Sequence, residues 1–202
     1  LFKTHGAPCR IENNPFLTKE TSRCAICIIR DPRQVLFSLM KHYYFKTQED
    51  SMNFLFENNR SLNVANSNKS NSVKFSHLPM PSWDIYYLSW LAIQKMFPIH
   101  FIRYEDMFEI NSFKKILTFL FEHTKDARFQ LSENKAKKVF ERSKFDNLKS
   151  LEKQNGFNEA KEKTNGFFNE GKVDTWKNKI EPEIQRKIEK KFEKLMKLFK
   201  YL

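Results

Sequence analysis

Apolar positions along this chain fall into two kinds of run. Ala25-Ile26-Cys27-Ile28-Ile29 is short, continuous and rich in β-branched residues, as expected of a strand buried on both faces inside a parallel sheet. Pro98-Ile99-His100-Phe101-Ile102-Arg103-Tyr104 reads as a second such strand, closed by Glu105-Asp106. Elsewhere the apolar residues recur at steps of three and four, which predicts helices. Asp31 caps and Pro32 opens the first, with Val35, Leu36, Leu39 and Met40 on one face. Ser82 precedes a face of Trp83, Tyr86, Tyr87, Trp90, Leu91, Gln94 and Phe97. Asn111 or Ser112 caps a helix from Phe113 to Glu122, a further helix runs from Glu133 to Arg142, and a last one starts at Pro182. In that last helix Ile184, Ile188, Phe192, Leu195, Met196 and Phe199 keep the spacing. Leu1 to Thr4 reads as a short strand ending at His5-Gly6. Two polar stretches break the pattern. One is a flexible loop over about 47–75 with a single helical turn at Phe54-Leu55-Phe56, and the other spans Gln154 to Asp174. Strands alternating with helices predict an α/β fold, a parallel sheet flanked by helices, in one domain over 1–202.

Composition narrows the picture without changing it. The 202 residues suffice for a sizeable core, to which 21 phenylalanines contribute. Thirty-six basic against 24 acidic side chains leave +12, which favours an anionic partner. Most of that excess is spread along the helices of residues 133–202 among interleaved glutamates, the arrangement of solvated helix faces. No aromatic RNA-binding signature or recognition-helix motif is present, which disfavours a nucleic-acid-binding module. Cys9, Cys24 and Cys27 are odd in number and have no second pair. They read as free thiols in a reducing, cytoplasmic setting rather than a zinc or redox site. No apolar stretch reaches membrane-spanning length, so no membrane partner is expected.

The chemistry concentrates where the first buried strand turns into a helix. Ligands of open α/β sheets bind at the carboxyl edge of the strands, and a helix N-terminus favours an anion. Arg30 stands at that edge with a fork suited to an anion, and Ser38 offers a hydroxyl two turns into the helix. Arg30 could equally serve in a surface salt bridge. Lys3 and His5 flank Thr4 at a strand end, where alternation puts both side chains on one face. His5 has the chemistry of a general base, although a lone histidine near a terminus is often incidental.

Several segments, taken in order, resemble the sulfotransferase family that uses 3′-phosphoadenosine 5′-phosphosulfate. Lys3-Thr4-His5 is similar to that family's K-T-H strand end. Arg30-Asp31-Pro32-Arg33 through Ser38 is similar to its R-[ND]-P-[KR]-[DQ]-x-x-x-S element, and Ser82-Trp83 to Trp90 to its S-W-x(6)-W helix. Phe97-Pro98 through Tyr104-Glu105-Asp106-Met107 resembles the strand ending Y-E-D-M, and Ser143-x-Phe145 the adenine-contacting [ST]-x-F. Phe167-Phe168-Asn169-Glu170-Gly171-Lys172 to Trp176-Lys177 resembles F-x-R-x-G-K-x-G-D-W-[KR]. The resemblance implies His5 as catalytic base assisted by Lys3, and Arg30 and Ser38 on the 3′-phosphate. It further implies Tyr104, Ser143 and Phe145 near the adenine, and Asn169, Glu170 and Gly171 in the tail over the nucleotide. No metal is implied, and the acceptor is a small hydroxyl or amine compound.

Two departures qualify that implication. Asn169 stands where the family pattern has an arginine, and G-D-W reads Asp174-Thr175-Trp176. The family's phosphosulfate loop, P-[KR]-[ST]-G-T-T-W, does not occur, and Gly6, Gly156, Gly166 and Gly171 form no phosphate-cradling loop. The first residue is Leu rather than Met. The expectation is therefore the C-terminal part of a P-loop-kinase-like sulfotransferase fold, a fragment without the N-terminal strand and loop and inactive alone. The alternative is a catalytically dead remnant that keeps nucleotide or partner binding.

Overall fold

The computed structural model describes residues 2–11, 14–63, 77–156 and 173–202. Strand β1 (Arg10–Ile11) pairs with β2 (Asn14–Pro15), followed by β3 (Ala25–Ile29), α1 (Pro32–Tyr43) and α2 (Gln48–Phe56). β4 (Ser61–Asn63) pairs with β5 (His77–Pro79), then come α3 (Trp83–Ile93), β6 (Ile99–Arg103) and α4 (Ile110–Thr124). α5 (Glu133–Arg142), α6 (Phe145–Asn155) and α7 (Pro182–Leu198) complete the order. Backbone contacts divide the chain into one unit of Leu1–Phe101 with Trp176–Leu202 and another of Ile102–Thr175.

β3 and β6 form a small parallel sheet flanked by helices, the predicted α/β class. β3 ends at Ile29, and two residues on, the Asp31 carboxylate accepts from the Arg33 amide and caps α1, while Pro32 occupies the first turn. The core lies between α1, α2, α3 and α7. Phe192, 1 % exposed, meets the Phe56 ring at 5.2 Å and the Trp83 indole at 5.1 Å. Ile184, Ile188, Leu195 and Met196 are buried beside it, as the spacing predicts. The buried Ser51 hydroxyl donates to the Leu36 carbonyl at 2.7 Å and joins α2 to α1. β4 and β5 are antiparallel, with Ser61 opposite Pro79 and Asn63 opposite His77.

The second unit is mostly helical. Arg103 grips Asp106 through Nε at 2.8 Å and Nη2 at 2.6 Å, fixing a 3₁₀ turn over Tyr104–Phe108. Phe113 of α4 meets Phe140 of α5 at 5.8 Å, and the Lys114 ammonium pairs with the Glu133 carboxylate. Lys125 closes α4 in the left-handed conformation at φ 57°.

Four sequence expectations are corrected. Residues 2–5 form no strand, and Phe2 is 86 % exposed. A strand exists only through its ladder, and just after this segment the Ala7 amide donates to the Pro79 carbonyl at 3.0 Å without a ladder forming. The loop expected over 47–75 begins with a nine-residue helix, α2, because Thr47 Oγ1 accepts from the Asp50 amide and Ser51, Met52 and Leu55 turn inward. Residues 64–76 of that stretch lie outside the described residues. α4 starts at Ile110 with Glu109 as its cap, since the Phe113 amide already bonds the Glu109 carbonyl. Helix α6 was not anticipated.

Candidate functional site

The site grows from the end of β3. Arg30 Nη1 donates to Ser38 Oγ at 3.2 Å, so two groups eight residues apart meet in space. Both side chains are half-buried, and the Ser38 hydroxyl also donates to the Gln34 carbonyl at 3.3 Å. A guanidinium and a hydroxyl converging in this way can hold one phosphate. The amino end of α1 adds nothing to it. Asp31 Oδ1 takes the Arg33 amide, and the Asp31 carbonyl takes those of Gln34 and Val35. The sequence also suggested the helix N-terminus as an anion site, but the amides of Arg33, Gln34 and Val35 are already bonded to Asp31.

The strand end is immobilised by aromatic side chains. The Tyr87 hydroxyl donates to the Ile28 carbonyl at 3.1 Å, the Tyr201 hydroxyl to that of Ile29 at 3.3 Å, and Trp83 Nε1 to that of Arg30 at 3.1 Å. Three consecutive carbonyls are thus held by α3 and by the segment after α7. Cys27, buried in the same strand, has its thiol pushed up to about 12 by burial. Tyr86 on α3 is also pushed up to about 12, mainly by burial and further by Cys27.

Arg33 was read from the sequence only as part of a motif, and the structure gives it a larger role. It is 6 % exposed beside Asp31 at 4 %. Its Nε and Nη2 fork onto Asp31 at 3.0 and 2.7 Å, and Nη1 donates to Glu189 Oε1 at 2.6 Å. Nη2 also donates to the Tyr201 carbonyl at 2.9 Å, and the Trp176 ring lies 3.9 Å from the guanidinium carbon. Burial works to lower this group's pKa, but the bonds and charge of Asp31 and Glu189 outweigh it and hold the proton more tightly than usual. No local signal announces these partners, which lie 156 and 168 residues away.

Lys3 and His5 are exposed on the segment before Ala7, and the Thr4 hydroxyl accepts from the Gly6 amide at 3.0 Å. Of the remaining predicted residues, three belong to the second unit. Tyr104 opens the 3₁₀ turn after β6 and meets Phe108 edge-on at 5.3 Å. Ser143 closes α5, its hydroxyl donating to the Phe140 carbonyl at 2.8 Å, and Phe145 begins α6 with the Lys149 ammonium 5.7 Å from its ring. Asn169, Glu170 and Gly171 lie outside the described residues. All three cysteines are free thiols, and no described helix is long and apolar enough to cross a membrane.

A family model described as a sulfotransferase domain matches residues 1–200. Among solved structures, mouse sulfotransferase SULT7A1 complexed with PAP is similar in fold, with a TM-score of 0.60 at 23% sequence identity. The match covers 88% of this chain and 59% of that one, so the chain spans less than two thirds of its neighbour's length. No curated protein sequence matches.

Proposed function

Since the chain belongs to the sulfotransferase-domain family, we propose that it moves a sulfuryl group from 3′-phosphoadenosine 5′-phosphosulfate to a hydroxyl or amine of a small acceptor. The observation that carries this reading is the 3.2 Å bond between Arg30 and Ser38. It places a charged fork and a hydroxyl on one point at the carboxyl end of β3, and their chemistry fits a phosphate monoester.

The donor supplies an activated sulfuryl group, and the protein's part is positioning and charge. Arg30 and Ser38 hold the 3′-phosphate. Tyr104, Ser143 and Phe145 are assigned to the base, and Asn169, Glu170 and Gly171 to donor binding. The imidazole of His5 takes the proton from the acceptor's hydroxyl or amine, and the ammonium of Lys3 balances the negative charge that develops between donor and acceptor. No metal enters this scheme. Three free thiols suit a reducing compartment, and we assign the protein to the cytoplasm.

The test compares binding of adenosine 3′,5′-bisphosphate and adenosine 5′-phosphate by calorimetry, in the wild type and in Arg30→Ala. One charged contact is worth about 1.5–3 kcal/mol, so the bisphosphate should weaken roughly ten- to hundredfold while the monophosphate barely changes. Equal losses for both would remove the 3′-phosphate from Arg30. Bisphosphate binding without sulfation of any acceptor would reduce the function to nucleotide binding.

A further inference from the structure

We infer that Arg33 is the positioning residue of the 3′-phosphate site, setting the direction of Arg30 by tying the turn between β3 and α1 to residues 176–201. This rests on the sulfotransferase reading above. The first support is the cost of burying the group. An arginine at 6 % exposure needs partners, and Asp31 alone would satisfy one side of its fork. This one also bonds Glu189 of α7 and the Tyr201 carbonyl and stacks on Trp176, partners that a simple countercharge for Asp31 does not need.

The second support is that these links converge on the residues flanking Arg30. On one side, the Tyr201 hydroxyl holds the Ile29 carbonyl. On the other, Asp31 caps α1 and is itself gripped by Arg33, whose Nη2 returns to the Tyr201 carbonyl. Gln34 adds a strut, its Oε1 accepting from the Trp176 amide at 3.3 Å. Arg30 therefore projects from a backbone held on both sides by residues 176–201, and its fork meets Ser38 without searching. Loss of Arg33 would leave the Asp31 carboxylate buried without its cation and loosen the turn on its Asp31 side, while the Trp83 bond to the Arg30 carbonyl remains. A displacement of an ångström is enough to impair a site that depends on two converging side chains.

The readout is the ratio of affinities for adenosine 3′,5′-bisphosphate over adenosine 5′-phosphate, which a loss of stability alone does not move. Arg33→Gln and Arg33→Lys should each lower that ratio about tenfold. The lysine keeps a charge beside Asp31 but loses the fork and the stack, so it separates geometry from charge. Should Arg33→Gln fail to fold by circular dichroism, Arg33→Lys and Tyr201→Phe carry the test. Tyr201→Phe, which leaves Arg33 untouched and frees only the Ile29 carbonyl, should lower the ratio by less. A folded Arg33→Lys that melts earlier yet keeps the wild-type ratio overturns the inference. Arg30→Ala separates the two claims. If it abolishes the ratio while Arg33→Lys preserves it, the phosphate site stands and the positioning role falls. If it leaves the ratio unchanged, the phosphate assignment itself is wrong.

Discussion

Cys27 makes the strand that presents Arg30 sensitive to alkali. Its thiol, at 5 % exposure, is pushed by burial from 9.0 up to about 12. In the unfolded chain the same thiol ionises near 9.0, so above that pH the native state holds a proton that the unfolded state has released. Stability then falls as pH rises, by ~1.4 kcal/mol per pH unit, from 9.0 until the native thiol titrates. The full window to about 12 is worth ~4 kcal/mol, a large share of the ~5–15 kcal/mol that holds a domain together. Below 9.0 the contribution is complete and constant. Urea unfolding with a reductant present, at intervals from about pH 8 to about pH 10.5, would compare the wild type with Cys27→Ala. The variant loses a constant amount for its missing sulfur, so the slopes and not the absolute values are compared. Over that range the wild type should lose ~2 kcal/mol more than the variant. Tyr86 titrates in both proteins and largely cancels. Parallel slopes would mean that the Cys27 thiol ionises as readily in the fold as outside it, and the buried-strand account of β3 would fail.

Other outcomes follow from the same contacts. Phe192→Ala empties the space between Phe56 and Trp83 and should cost ~3–5 kcal/mol in denaturant unfolding. A loss below ~1 kcal/mol would show that α7 does not pack as described. In a form of the protein that sulfates hydroxyl or amine acceptors, His5→Ala should end transfer while bisphosphate affinity stays unchanged, and surviving turnover would assign the base elsewhere. Asn169→Arg should tighten bisphosphate binding by supplying the cation that the family pattern carries there, and an unchanged affinity would mean that the tail does not reach the donor.

What could be read in the sequence was local. The run from Ala25 to Ile29, the Asp31-Pro32 start of α1 and the spacing from Ile184 to Met196 each carry their own structure and reappear in the fold, although Ile28 is 47 % exposed where burial on both faces of the strand was expected. Arg30 and Ser38 were legible as a pair because both sit on one strand–helix unit. α2 was hidden by its length and by the polar run that follows it, although Thr47 with Asp50 is the signature of a capped N-terminus. α6 buries no residue, so its apolar positions gave a weak signal. The short strand expected at residues 2–4 failed for a different reason. Strand pairing depends on a distant partner that a local pattern does not specify. Arg33 lies at the far end of this scale, since a basic residue at a helix start announces neither Glu189 nor Tyr201.

The distance between Arg33 and its partners also sets an order of events. The turn from Arg30 to Arg33 is made well before the residues that secure it, which lie 156 and 168 positions after Arg33. Local pieces such as α1 can form as they emerge, but closing so long a loop is slow and must wait for Glu189 and Tyr201 to be made. Until Tyr201 has been made, Ile29 and Arg33 lack the bonds that hold them, and the nascent chain has its arginine without a fixed aim. A chain ended before Glu189 and Tyr201 would keep the strand–helix turn but lack the bonds from those residues that steady it.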